Sequence, residues 1–192
     1  MKDWETELKE IASVGEMALR QGGHEGVSKQ HNKGRLTIRE RISLVLDNDS
    51  FQEIGPKAGF REKDSDGNLN SFTPANFVLG FGEIEGRRCV VAGEDFTVKG
   101  GSPNAAGLRK SIYAEHLAIQ YRVPLIRLHE GGGGSVGGTG SSSSTVGTPV
   151  HEPHRFKVVA EAMATVPVVT TALGPVAGLP AARLVAAHLS IM

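Results

Sequence analysis

Two small-residue stretches hold the residues whose types and spacing could do chemistry. The first is "LHEGGGGSVGGTGSSSSTVGTP", residues 128 to 149; sixteen of the eighteen residues from Gly131 to Thr148 are Gly, Ser or Thr. The second is "LGPVAGLPAARL", where Val176, Ala177 and Gly178 precede an Ala-rich segment. Each stretch follows an apolar run that reads as a strand. Bare backbone amides at a strand end can point at a developing negative charge. The first amides of a helix are free and carry positive partial charge. Two parallel strands ending in such bends would bring two sets of N–H groups together. That arrangement suits the enolate of a thioester better than a phosphate, which usually recruits Lys or Arg.

Two other readings of the first stretch stand beside this one. A Gly/Ser-rich segment can be a flexible linker, although both flanks here belong to one alternating pattern. Gly132, Gly134 and Gly137 also spell G-x-G-x-x-G behind a strand. The residues that follow are poor helix formers, and no acidic residue closes a second strand about 20 positions on. No Gly-Lys-Ser or Gly-Lys-Thr phosphate loop occurs.

Other polar residues offer less. His129 and Glu130 sit together at a strand end and read either as an acid–base pair or as structural groups. His151 and His154, with Glu152 between, have metal-like spacing but no third ligand. His24, His31, His116 and His188 form no cluster, so no metal is expected. Cys89, the single cysteine, lies in "RRCVV" and reads as a buried strand thiol.

The elements that must position the bends follow from periodicity. Residues 3 to 21 predict a helix, with Trp4, Leu8, Ile11 and Ala18 at helical spacing. "GGHEGVSKQHNKG" reads as a polar break. "TIRERISLVLD" predicts a helix, with a capping box from Thr37 and Glu40. Residues 61 to 75 read as a loop. "NFVLGFGEI" and "RRCVVAGED" predict strands joined at Glu85-Gly86. A helix over "SPNAAGLRKSIYAEHLAIQY", a strand over "VPLIRLHE", a helix over "EPHRFKVVAEAMA", a strand over "TVPVVTTALG" and a helix from "AGLPAARL" follow. A strand pair and then alternating helix and strand argues α/β with parallel strands and crossovers. Ser190 to Met192 resemble the opening of another strand, which suggests a piece of a longer polypeptide.

Composition bounds the function classes. Of 192 residues, 25 are Gly, so much backbone must turn tightly or approach something closely. Lys+Arg and Asp+Glu are both 21, which gives no bulk-charge sign of a nucleic-acid or membrane-surface partner. No apolar run reaches the roughly 18 residues of a membrane span. The start, "MKDWETELKE", is charged and unlike a signal peptide. The expected location is the cytoplasm, with a mitochondrial matrix after processing as the alternative.

From about residue 28 onward the chain resembles the carboxyltransferase (β) subunit of biotin-dependent acyl-CoA carboxylases, the propionyl-CoA and methylcrotonyl-CoA carboxylase family. "HNKGRLTIRERISLVLDNDSFQEIG" resembles its amino-terminal signature. "FVLGFGEIEGRRCVVAGEDFTVKGGS" resembles its first strand pair and following turn. "VPLIRLHEGGGG" stands where the family has a strand and Asp-Ser-Gly-Gly-Ala-Arg, and "VPVVTTALGPVAGLPA" where it has Gly-Pro-Cys-Ala-Gly-Gly-Ala. His129-Glu130 replaces the Asp-Ser pair, Gly133-Gly134 the Ala-Arg pair, and Leu179-Pro180 the second Gly with its Ala.

The resemblance implies a crotonase-like α/β fold of ββα repeats, with a helical arm over 1–60 and an incomplete acyl-CoA-binding N-domain over 61–192. It implies an acyl-CoA enolate carboxylated by carboxybiotin, with biotin on a partner carrier protein. Because the released biotin nitrogen takes the α-proton in the family, no side-chain base is required. The implied donors are the amides of Gly132, Gly133, Ala177 and Gly178, the first pair serving the thioester. "FTVKGGS" would lie along the CoA: Gly100 and Gly101 for close approach, Ser102 and Asn104 as caps, Lys99, Arg109 and Lys110 toward phosphates. Lys33 and Arg35 are weaker candidates. The implied partners are a C-terminal carboxyltransferase domain, a biotin carrier or biotin carboxylase subunit, and further copies of the chain. An acyl-CoA decarboxylase and a non-catalytic acyl-CoA-binding or assembly subunit are the alternatives.

Overall fold

The computed structural model describes residues 4–133 and 155–192. Three helices come first: α1 (Glu5–Leu19), α2 (Gly23–His31) and α3 (Ile38–Val45). Helix α3 begins where the capping box is expected: the Glu40 carboxylate accepts from the Thr37 N–H at 2.6 Å, and the Thr37 hydroxyl from the Glu40 N–H at 3.4 Å. Helix α2 fills the stretch expected to be a polar break. It forms because tertiary packing outweighs weak propensity. The Gly22 N–H donates to the Thr97 hydroxyl at 2.8 Å, and a methyl on Gly22 would lie 2.1 Å from the Thr97 carbonyl oxygen. Helix α1 also differs from expectation in its inner face. Val14 and Ala18 are buried, whereas Trp4, Leu8 and Ile11 are exposed.

A six-stranded sheet carries the rest, in the order β1-β4-β5-β6-β7-β8. The strands are β1 (Gln52–Glu53), β4 (Phe77–Ile84), β5 (Arg87–Glu94), β6 (Leu125–Gly131), β7 (Val168–Val176) and β8 (Leu189–Ile191). β4 and β5 form an antiparallel hairpin, and β5 through β8 run parallel. The hairpin turns at Glu85 (φ 51°) and Gly86 (φ 70°). Their N–H groups donate to the Asp47 carboxylate at 3.0 and 2.8 Å, which ties the turn to the end of α3. Helix α4 (Ala105–Tyr121) links β5 to β6, α5 (Arg155–Thr165) precedes β7, and α6 (Leu179–Val185) links β7 to β8.

Residues 61 to 75, expected to be a loop, hold a separate hairpin of β2 (Gly59–Lys63) and β3 (Leu69–Pro74). Its β2 residues are all exposed, so no apolar alternation announces it. Helix α1 packs on β3, and its Glu10 lies 3.1 Å from Lys63 of β2.

Apolar side chains alternate across the sheet and so need cover on both faces. Phe77, Leu79, Val90, Ala92, Leu125 and Val168 pack against Ala114, Leu117 and Ala118 of α4 and Ala162 of α5. Val78, Cys89, Val91 and Leu128 pack against Ile38 and Ile42 of α3 and Leu46 beyond it. Each Val, Leu, Ile or Phe among them stabilises the fold by about 1.5–3 kcal/mol when fully buried. Elements on both sides of residue 60 thus share one sheet. No helix among the described residues is long and apolar enough to cross a membrane.

Candidate active site

The site gathers at the carboxyl ends of β5, β6 and β7, where three segments are stitched together by backbone. The Gly132 N–H donates to the Gly100 carbonyl at 3.0 Å, and the Ala177 N–H to the Gly131 carbonyl at 3.0 Å. The Ser102 hydroxyl donates to the Gly133 carbonyl at 3.1 Å. Close packing requires glycine at two of these positions. Gly101 has φ 67°, and a methyl on it would lie 2.8 Å from both the Glu130 carbonyl oxygen and the Gly131 Cα. Gly178 has φ 63° and ψ −130°, a conformation side chains disfavour.

The two bends meet. A methyl on Gly133 would lie 3.5 Å from the N and Cα of Gly178. The expectation of four converging amides needs correction, however. Those of Gly132 and Ala177 are consumed in holding the bends. Gly133 and Gly178 keep N–H groups without a partner among the described residues. Gly134, Gly137, His151, Glu152 and His154 lie outside the described residues, and no group of metal ligands occurs among those described.

The expected substrate-binding residues divide. Gly100, Gly101 and Ser102 stand against the β6 bend, as above. Asn76, buried just before β4, donates its amide to the Ser102 carbonyl and accepts from the Asn104 N–H at 3.2 Å. Asn104 caps α4 by accepting from the Gly107 N–H at 2.7 Å. Ser102 is spent on Gly133 rather than on the helix. Lys99 is exposed beside this turn, and Arg109 is exposed on α4. Lys110 is a correction: it is buried, with its ammonium 3.8 Å from Glu53, and so does not face solvent phosphates. Burial pushes its pKa down to about 8, although the Glu53 charge works the other way.

Charge is buried on both faces of β6, and the two-residue period of a strand assigns it. Arg127 and His129 face α4. Arg127 donates to Glu115 at 2.5 Å, and Arg183 of α6 donates to the same carboxylate at 2.9 Å. His129 Nδ1 lies 3.1 and 3.3 Å from the two Glu94 oxygens. Burial raises the Glu94 pKa, but the His129 hydrogen bond and the His129 and Arg127 charges outweigh it and hold the carboxyl below its usual range. Glu130 points to the other face, 2.5 Å from Arg41, 2.7 Å from Gln30 Nε2 and 3.3 Å from Arg35. Glu130 thus clamps α2 and α3 to the sheet end. Arg35 serves this clamp, while Lys33 is exposed. A narrow cleft over the α4 face is lined by Asn76, Glu94, Gly101, Leu179, Pro180 and Arg183.

Asn76, Glu94, Arg41 and Gln30 were missed by sequence reasoning. Strand parity holds a usable signal for Glu94, Arg41 and Gln30, since each buried charge on β6 demands a partner from the element facing it.

Residues 29–184 match the carboxyl transferase domain. The chain belongs to the carboxyl transferase domain family. It is 39% identical over 127 residues to the probable biotin-dependent acyl-coenzyme A carboxylase beta2 subunit of Mycobacterium tuberculosis, covering 66% of this chain and 23% of that protein. It is 31% identical over 161 residues to the propionyl-CoA carboxylase beta chain of Saccharopolyspora erythraea, covering 84% of this chain and 28% of that one. The chain therefore spans about a quarter of the length of these relatives. Among solved structures it resembles a single-chain, multi-domain long-chain acyl-CoA carboxylase (TM-score 0.73, 26% identity), covering 97% of this chain and 19% of that one. It also shares the fold of transcarboxylase 12S, solved as a hexamer with methylmalonyl-coenzyme A (TM-score 0.73, 23% identity, 100% and 36% covered). The carboxyl transferase fold expected from the resemblance, crotonase-like α/β with helices at its amino end, is the one observed.

Proposed function

We propose that the chain binds an acyl-CoA and stabilises its enolate for carboxylation, as the N-domain part of a biotin-dependent carboxyltransferase. The observation that carries this reading is the meeting of the two bends with the Gly133 and Gly178 amides unpartnered among the described residues. Gly133 serves the thioester oxygen. A backbone donor aimed at charge that grows in the transition state contributes about 3–4 kcal/mol. Biotin's ureido carbonyl is a hydrogen-bond acceptor, which fits the amide left on the second bend, Gly178. Biotin, delivered on a carrier protein, would supply the carboxyl group. The 99–102 turn lies along the CoA, with Lys99 and Arg109 toward its phosphates. A C-terminal carboxyltransferase domain, further copies of the chain and a biotin carboxylase subunit complete the assembly, in the cytoplasm.

Calorimetric titration with short acyl-CoA thioesters tests the reading. Binding is expected. Absence of binding to every thioester would sink the proposal. With the complementing domain and carboxybiotin, a carboxylated thioester is the expected product. Decarboxylation of a supplied malonyl-type thioester instead would assign a decarboxylase, and binding without turnover an assembly subunit.

A further inference from the structure

On the α4 face of the sheet lies a buried cluster of three charges. Glu115 of α4 is 1% exposed, and Arg127 of β6 and Arg183 of α6 are each 2% exposed. One oxygen of Glu115 serves both cations: Arg127 donates to Oε1 at 2.5 Å, and Arg183 Nε to the same atom at 2.9 Å. Arg127 also donates to the Ser111 carbonyl of α4 at 3.1 Å. Such a cluster is often no more stabilising than apolar residues of the same volume. Here two guanidinium charges face one carboxylate, and burial pushes the Arg127 pKa down to about 10 against the pull of Glu115. Arg127 Nη1, like His129 Nε2, is buried with no hydrogen-bond partner among the described residues. The cluster is costly to the fold, so what it holds in place matters more than what it adds.

What it holds is α6 against β6. Helix α6 has seven residues, too few to be stable by itself. Of these, Pro180, Arg183 and Leu184 are buried, while Val185 is 78% exposed. Arg183 is the one charged anchor of the helix, and it stands five residues beyond Gly178. Arg127 stands four residues before Gly131 on β6. Glu115 therefore joins the element behind each bend: the strand that leads into Gly133 and the helix that leads out of Gly178. The bond from the Ala177 N–H to the Gly131 carbonyl, at 3.0 Å, closes the other end of this span. Arg183 also lines the cleft with Gly101, Leu179 and Pro180, so its setting shapes the wall next to Gly178.

We propose that Glu115 is a positioning residue of this site: through Arg127 and Arg183 it sets the separation of the Gly133 and Gly178 amides. The proposal rests on the acyl-CoA reading above, in which that separation fixes how the carboxyl donor meets the thioester. Glu115 itself touches no substrate. Glutamine at this position keeps the shape and one acceptor but loses the charge. The two guanidiniums then repel each other across a neutral amide, and α6 moves away from β6, taking Gly178 with it. Gly133 stays, because the Ser102 hydroxyl and the Gly132–Gly100 bond hold the first bend from its other side. Thioester binding at the first bend is preserved, while transfer across the widened gap is slowed.

The test is a split between binding and turnover. The full chain is titrated with acetyl-, propionyl- and butyryl-CoA. The enzyme completed by its complementing domain is assayed for carboxyl transfer from carboxybiotin to the tightest binder. Glu115→Gln should leave the thioester Kd within about threefold of wild type and lower kcat by about 10–10²-fold. Arg183→Lys, which keeps the charge but loses the planar fork, should lower kcat by about three- to tenfold, again with Kd held. A Glu115→Gln enzyme that turns over at the wild-type rate overturns the positioning role. So does one that loses Kd and thermal stability together at unchanged kcat, which marks a merely structural residue. If Glu115→Gln does not fold, Arg183→Lys decides, and a wild-type kcat there refutes the role. A wild-type chain that binds none of the thioesters, or a completed enzyme without transfer, overturns the acyl-CoA reading, and the role of Glu115 with it.

Discussion

Replacing Glu130 by alanine should destabilise the fold heavily, because Glu130 is a clamp. The Glu130 side chain is 1% exposed, and it holds Arg41, itself 8% exposed, at 2.5 Å and Gln30 at 2.7 Å. Its third cation, Arg35, is 35% exposed and adds little. Among the described residues, alanine would leave the Arg41 guanidinium buried with only the Leu173 carbonyl, an acceptor it already uses at 3.1 Å. Stranding one partner of a buried pair costs about 3–5 kcal/mol. The carboxylate also occupies the space at Gly174, where a methyl would lie 2.4 Å from Oε1, so its removal opens a void. At about 2–4 °C per kcal/mol for a chain of this size, Tm should fall by about 6–20 °C.

Thermal and urea unfolding read this directly. Arg35→Ala is the control and should cost less than about 1 kcal/mol. A cycle with Arg41→Ala should return a coupling of about 1–3 kcal/mol. An E130A protein within about 1 kcal/mol of wild type, or a cycle with no coupling, would refute the clamp. It would then reopen Glu130 as a group kept for chemistry.

Lys110→Met should stabilise the protein at neutral pH. The folded pKa near 8 lies below the ordinary 10.5, so the folded state binds fewer protons and stability rises with pH between those values. The apolar replacement should gain up to about 3 kcal/mol at pH 7, the shift converted at 1.36 kcal/mol per unit. Glu53 keeps its two bonds from Arg39, at 2.7 and 3.0 Å. Unfolding of both proteins at pH 7 and pH 10 checks this, since the difference should shrink at the higher pH. Glu94 has the opposite sign. Its depressed folded pKa contributes stability that is present above the ordinary 4.5 and lost as pH falls below it. Acid titration of stability should therefore be shallower in Glu94→Gln. Cys89 is buried, and burial with the nearby Asp47 charge pushes its thiol up to about 11. Ellman's reagent at pH 8 should react with it only as fast as the protein unfolds.

The sheet and its crossovers were legible in the sequence because each element carries a strong local signal. The Thr37–Glu40 box, the Glu85-Gly86 turn and the Asn104 cap are all used as their chemistry suggests. Helix α2 was not legible. Its residues, "GHEGVSKQH", make no apolar stripe; Gly26, like Gly22 before the helix, is wanted for close approach to Thr97, while Gly23 turns the chain at φ 71°. The β2–β3 hairpin carried a short-range signal that was passed over, Asp66-Gly67 between Phe60 and Phe72. Helix α1 misled differently: Trp4, Leu8 and Ile11 have helical spacing, yet Val14 and Ala18 form the inner face.

The site was half legible for a related reason. Glycine density marks where backbone must approach backbone, and the first bend is where that density is highest. Which amides stay free depends on partners far along the chain, such as Gly100 for Gly132, and no local pattern records them. His129 and Glu130 show the same limit at its sharpest. Adjacent in sequence, they read as one acid–base pair. The pleat sends them to opposite faces, where each finds its own partner, Glu94 for one and Arg41 for the other. One residue of register thus separates a clamp from an imidazole with a nitrogen to spare. The same parity makes the two contacts separable by mutation: loss of Glu130 should free α2 and α3 from the sheet end, whereas loss of His129 should leave Glu94 without its imidazole.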